Sequence, residues 1–177
     1  APRSRPFATT TLPEDIPLFD IRHAVTAQEM QLLGTLFQEY AADLSIDLGF
    51  QDFEQEIATL PGEYAPPRGA VLLAWVDGCP AGCCALRPLD ASDYPNAAEM
   101  KRLYVRKAFR GFGLGRHLAE KILDIARLAG YASVLLDTLD DMEAARALYA
   151  ELGFEEIPPY YHSPIEGSHY LKADIFL

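Results

Sequence analysis

The sequence predicts one α/β domain built on a mixed sheet, and three observations point there. A strand at 99–105, a helix-period stretch and a buried, apolar strand at 133–137 follow one another, the order that a parallel strand pair with a crossover helix requires. Asp77-Gly78 lies between two other apolar runs, the signal of an antiparallel hairpin. A chain of 177 residues suffices for one substantial core and is short for two.

Residues 1 to 15 are rich in Pro, Thr and Arg without periodicity and are read as a mobile lead-in to a domain spanning 16–177. Pro17 to Arg22 alternates as a first strand. Thr26 with Glu29 forms a capping box for a helix whose apolar face is Leu32, Leu33, Leu36, Phe37 and Tyr40. A shorter helix runs from about Gln51 to Leu60 and stops at Pro61-Gly62. Val71–Val76 and Ala81–Leu86 are the hairpin strands, and Glu99–Val105 follows a polar loop. Leu114, Leu118, Ile122, Ile125 and Ala126 recur at helical spacing until Gly130. Ser133–Asp137 reads as a buried strand and 141–152 as a helix closed by Gly153. Two last strands, near 154–157 and from Tyr170 to Phe176, flank a loop rich in Pro and Tyr.

The 26 acidic against 15 basic residues give a net charge of −11, which repels nucleic acid and anionic lipid. Cys79, Cys83 and Cys84 have neither paired zinc spacing nor nearby histidines, so they are expected to be free, mostly buried thiols. No metal site is expected. Neither a signal peptide nor a run of about 18 apolar residues is present, and the chain is read as cytoplasmic, without a membrane partner.

The stretch RKAFRGFGLGRH, residues 106 to 117, joins the strand at 99–105 to the following helix. Its glycines allow close backbone approach, and the helix N-terminus adds a partial positive charge of about one half. Spacing decides what it holds. A dinucleotide fingerprint would need a third glycine where Arg116 or Leu118 stands, and a triphosphatase loop would need a lysine before Lys121. Nicotinamide-dependent oxidoreduction is disfavoured on the same ground.

The pattern that remains, Arg110-x-x-Gly113-x-Gly115, together with EMKRLYV before it and ARALYAELGF at 145–154, resembles the GNAT superfamily of acyl-CoA-dependent N-acetyltransferases. The resemblance implies a GNAT-like α/β fold, with a mixed and mostly antiparallel sheet splayed at two central parallel strands and flanked by helices. It implies acetyl-CoA as acyl donor, with its pyrophosphate at Arg110, Gly111, Phe112, Gly113, Leu114, Gly115 and Arg116 and its pantetheine along Leu103, Tyr104 and Val105. Glu99 matches the family's proton acceptor and Tyr149 its partner for the thiolate. A backbone N–H of Val105 or its neighbour would meet the thioester oxygen if the strand bulges there. Met142 stands where many relatives have a cofactor-binding asparagine, seven residues before that tyrosine.

The implied activity is direct transfer of an acetyl group to a primary amine of a small molecule or peptide, with no nucleic-acid or membrane partner. The oligomeric state stays open; a homodimer is compatible with the resemblance, dimers being frequent in the superfamily. A non-catalytic acyl-CoA-binding or regulatory module would share the cofactor residues. Glu99 reads equally as an exposed strand-end carboxylate, and Tyr160, Tyr161 and His162 either receive the acceptor or pack the sheet edge. His117, in the first helical turn, is expected to face solvent or the rim of the cofactor.

Overall fold

The computed structural model describes residues 18–44 and 47–175; the lead-in at 1–15, Pro17 and Phe176 lie outside them. Seven strands form one sheet: β1 (Phe19–His23), β2 (Ala70–Val76), β3 (Cys79–Pro88), β4 (Ala97–Val105), β5 (Ser133–Leu139), β6 (Glu155–Ile157) and β7 (Ser168–Asp174). They lie in the order β1-β2-β3-β4-β5-β7-β6. Helices α1 (Ala27–Leu44) and α2 (Phe53–Ala58) cover one face, where Leu33, Leu36 and Phe37 pack on Val71, Leu73, Cys83 and Ala85. Helices α3 (Leu114–Leu128) and α4 (Glu143–Glu151) serve the other, where Leu114, Leu118 and Ile122 meet Leu72, Cys84, Leu86, Val134 and Leu136.

Local signals set the ends of these elements. Glu29 N–H donates to Thr26 Oγ1 at 3.1 Å and Thr26 N–H to Glu29 Oε1 at 2.9 Å, so both halves of the capping box form. Asp77 and Gly78 both take positive φ, 50° and 80°, as the tight hairpin turn demands. Cys83 and Cys84 are buried thiols in β3, whereas Cys79 is exposed.

The feature that shapes the site is the shortness of the parallel pairing. β4 and β5 are in register only at Ala97–Ser133, Ala98–Val134 and Glu99–Leu135. Beyond Glu99, β4 stays with β3 as far as Val105, while β5 stays with β7 as far as Leu139. The sheet therefore opens between its two central strands.

Beside that end of β5, His169 sets Nδ1 against Glu156 Oε1 at 2.7 Å and Nε2 against Asp140 Oδ1. The Asp140 contact, then Glu156, raises the imidazole above its ordinary value. A raised folded pKa contributes stability below the unfolded value of about 6.5, and that contribution is lost as pH rises through the folded pKa. The melting temperature is expected to decline over that interval, and His169→Gln to flatten the decline, as thermal melts across pH would show.

Candidate active site

The opening between β4 and β5 is lined by Met100, Lys101, Arg102 and Leu103 on one strand and by Leu136, Asp137, Thr138 and Leu139 on the other. Tyr40, Leu44 and Leu48 wall it on the α1 side, Met142 and Tyr149 on the α4 side. Tyr149 is buried, its ring edge-on to Phe154 at 5.6 Å, and its hydroxyl has no hydrogen-bond partner among the described residues. Burial pushes that phenol well above its ordinary pKa. The buried polar atoms without a partner among the described residues are the Tyr64 hydroxyl and Trp75 Nε1, so the Tyr149 oxygen keeps some exposure and can meet a ligand in the opening. Met142 occupies the N-cap of α4 without a side-chain cap and receives the Thr138 hydroxyl on its sulfur at 3.8 Å.

The glycine stretch enters the same region from the end of β4. Gly111 and Gly113 adopt φ of 90° and 82°, and a Cβ at either would meet nothing within 4 Å. Gly113 is the N-cap of α3 and supplies no side-chain oxygen. The first helical bond runs from His117 N–H to Gly113 O at 3.2 Å, so the amides of Leu114, Gly115 and Arg116 have no helical acceptor. They form a row of donors at a helix N-terminus beside open space. Leu114 contributes only its backbone, its side chain being in the core, while Phe112 is 55% exposed. His117 is exposed, with its ring 5.5 Å from that of Phe19.

The two arginines flanking the stretch are already engaged. Arg110 donates to Val105 O and to Asp43 Oδ2, both at 2.8 Å. Arg116 pairs with Glu151 and, at 3.5 Å, with Glu120. The Tyr104 side chain turns toward α1, with its hydroxyl 3.3 Å from Glu39, so only its backbone is available to the opening. Val105 pairs regularly with Gly82. The bulge expected near Val105 lies earlier: the register slips opposite Cys83–Ala85, and Arg102 takes φ of 61°. Leu103, which with Arg102 opposes Cys84 in the bulge, lines the opening.

Glu99 is no exposed strand-end carboxylate. It is 1% exposed, its Oε1 takes Arg87 Nε at 2.8 Å and its Oε2 takes the Tyr160 hydroxyl at 2.6 Å. Asp137 Oδ2 accepts the Tyr161 hydroxyl at 2.6 Å in the same way. Burial, then the facing carboxylate, raises both phenols. The loop before β7 thus does two jobs: its tyrosine rings pack on each other and on Tyr170, and their hydroxyls cap two carboxylates on the central strands. His162 is exposed and joins neither.

Three site residues were missing from the sequence reading: Asp137, Lys101 and Arg87. Their signal was the period of two. Glu99 and Lys101 share one face of β4, and a charged residue inside an otherwise apolar strand such as β5 marks a polar site in the core. Among the described residues no cluster of His, Cys, Asp and Glu could hold a metal, and no helix is long and apolar enough to cross a membrane.

Comparison with known proteins agrees with this geometry. Residues 32–154 match the model of the acetyltransferase (GNAT) family. An uncharacterized N-acetyltransferase of Schizosaccharomyces pombe is 38% identical over 149 residues, which is 84% of this chain and 90% of that protein. A GNAT-family acetyltransferase of Staphylococcus aureus superposes with a TM-score of 0.73 at 18% identity, covering 89% of this chain and 99% of its own. The PaiA N-acetyltransferase of Thermoplasma acidophilum, solved in complex with coenzyme A, gives 0.65 at 15% identity, covering 89% and 99%.

Proposed function

This chain belongs to the acetyltransferase (GNAT) family and is an acyl-CoA-dependent N-acetyltransferase, and from that membership we propose that it moves an acetyl group from acetyl-CoA to an amine of a small molecule or peptide between β4 and β5. The observation that carries the proposal is the Tyr149 hydroxyl, which has no hydrogen-bond partner among the described residues and lines the opening on an otherwise buried ring.

The residues present fit the donor. The amides of Phe112 to Arg116 supply the N–H groups that a pyrophosphate needs, and the open space over Gly111 and Gly113 admits it. Arg110 and Arg116 stand at the rim and would share their charge between phosphate and the acidic partners they now hold. The stretch of β4 from Leu103 to Val105 has parted from β5, which leaves its edge for the amides of pantetheine. When bound, acetyl-CoA supplies the activated acyl group as a thioester.

The chain's own groups then have three tasks. An alkylammonium near pKa 10.4 gives up its proton at pH 7 only at a cost of roughly 4 to 5 kcal/mol, so a base is required. Glu99 is the proposed base, and because Tyr160 lies on its Oε2, the proton travels by way of the Tyr160 hydroxyl. Asp137, which lines the opening itself, receives the amine. Tyr149, whose phenol burial makes harder to ionise, stabilises the departing sulfur by donating a hydrogen bond and keeps its proton. Burial also raises the thiols of Cys83 and Cys84, which opposes a cysteinyl intermediate and favours direct attack by the amine.

Isothermal titration with coenzyme A tests the donor half. Arg110→Ala is expected to weaken binding by about tenfold, the worth of one charge-assisted contact partly spent on Asp43. An unchanged dissociation constant would remove Arg110 from the pyrophosphate site.

A further inference from the structure

Building on that reading of the opening as an amine-acetylating site, we propose that the acceptor is an amino acid with a free carboxylate, Lys101 taking the carboxylate and Asp137 the ammonium. Three cations, buried Lys101 and Arg102 and half-buried Arg87, lie on this face. Arg102 has its own carboxylate, Glu56, on both Nε and Nη2 at 2.9 and 3.0 Å, and lies over the Phe53 ring. Arg87 has two, Glu99 at 2.8 Å and Glu63 at 2.6 Å. Among the described residues Lys101 has no carboxylate within hydrogen-bond reach.

The Lys101 residue is only 8% exposed, yet it lines the opening. Its ammonium carries three donors. One reaches Gln51 Oε1 at 3.0 Å, an oxygen that Arg102 also uses at 2.9 Å. The nearest carboxylate oxygen is Glu99 Oε1 at 3.9 Å, beyond hydrogen-bond reach and already taken by Arg87. A buried ammonium without a matched anion is costly, and here burial outweighs Glu99 and lowers the lysine's pKa. The two donors left unfilled among the described residues are therefore a place for an anionic group of the ligand.

Across the opening stands the opposite charge. Asp137 lines the cleft from β5, and its one hydrogen bond among the described residues comes from Tyr161. One buried ammonium and one carboxylate on facing strands match the two ends of a zwitterion. A plain alkylamine or polyamine would satisfy Asp137 and leave Lys101 as it is, and a peptide N-terminus has an amide where the carboxylate would be.

The test is kcat/KM for the common amino acids set against the amide and the decarboxylated amine of each, in the wild-type enzyme with acetyl-CoA. An α-amino group next to an amide has a pKa of about 7.7 to 8.0, so a site that senses only the amine should prefer the amide. We expect at least one amino acid to exceed both of its analogues by roughly tenfold or more, because the analogues leave Lys101 unpaired. Lys101→Met should collapse that ratio toward one, and Lys101→Arg should retain part of it. Analogues that react as well as every amino acid, turnover of no amino acid, or a ratio that survives Lys101→Met would each overturn the inference. A coenzyme A titration on the same samples separates the levels. Acetylation of amines without carboxylate preference sinks this inference alone, whereas loss of both CoA binding and all acetylation sinks the acetyltransfer reading as well.

Discussion

Tyr149→Phe is expected to lower kcat by roughly 100-fold while leaving the affinity for coenzyme A within about twofold, the size of effect seen when one preorganised donor to developing charge is removed. The substitution deletes one oxygen and keeps the ring, so the packing against Phe154 at 5.6 Å should persist. No hydrogen bond within the described residues is broken, because the hydroxyl makes none there. Folding should accordingly be little affected. A structural tyrosine would show the opposite signature, with altered stability and intact turnover. The phenol's raised pKa adds a second readout: the hydroxyl stays protonated across the usable pH range, so the alkaline limb of the wild-type pH–rate profile should not originate from Tyr149.

Gly115→Ala separates a ligand cradle from a mere connection. Gly115 does not have the positive φ that Gly111 and Gly113 share, and a Cβ there would meet only Val105 Cγ2 at 3.8 Å, an ordinary contact. The fold has no need of glycine at this position. In the first turn of a helix glycine costs up to about 1 kcal/mol relative to alanine, so the variant should melt higher. If the amides of this turn face the pyrophosphate, the added methyl sits where phosphate oxygens must approach, and coenzyme A should bind tenfold or more weakly. A stabilised variant that binds coenzyme A as well as the wild type would place the cofactor elsewhere. Gly113→Ala would be less informative, because its φ of 82° strains any side chain whether or not a ligand binds.

Elements bounded by local chemistry were legible in the sequence, and those bounded by pairing were not. The Thr26–Glu29 box, the Asp77-Gly78 turn and the stop at Gly130 act within a few residues, and the elements they limit lie where those signals put them. β4 begins at Ala97 and β5 runs on to Leu139, past the expected 99 and 137, because partners on β3 and β7 extend them. The bulge was displaced for a related reason. Arginine is not a residue that favours positive φ, so nothing local announced φ of 61° at Arg102, which the Glu56, Gln51 and Phe53 contacts hold in place.

The donor side of the site was readable because it is mostly backbone, and glycine spacing is a record of backbone needs. The acceptor side is a network of side chains far apart in the chain. Tyr160 meets Glu99 across 61 positions and Tyr161 meets Asp137 across 24, distances over which a single sequence carries no pairing signal. Glu99 was accordingly found by its place in a motif, while its burial and its clamp from Arg87 were not.

The most direct test of the account counts two products in one vessel. Purified protein, acetyl-CoA and a panel of amino acids, alkylamines, polyamines and peptides would be assayed for free thiol and, by mass spectrometry, for N-acetylated amine. The two are expected in equal amounts and only when protein, donor and a reactive amine are all present. Tight binding of coenzyme A with thiol release no faster than background hydrolysis across the whole panel would contradict it, and would make this domain a binding module in place of an enzyme.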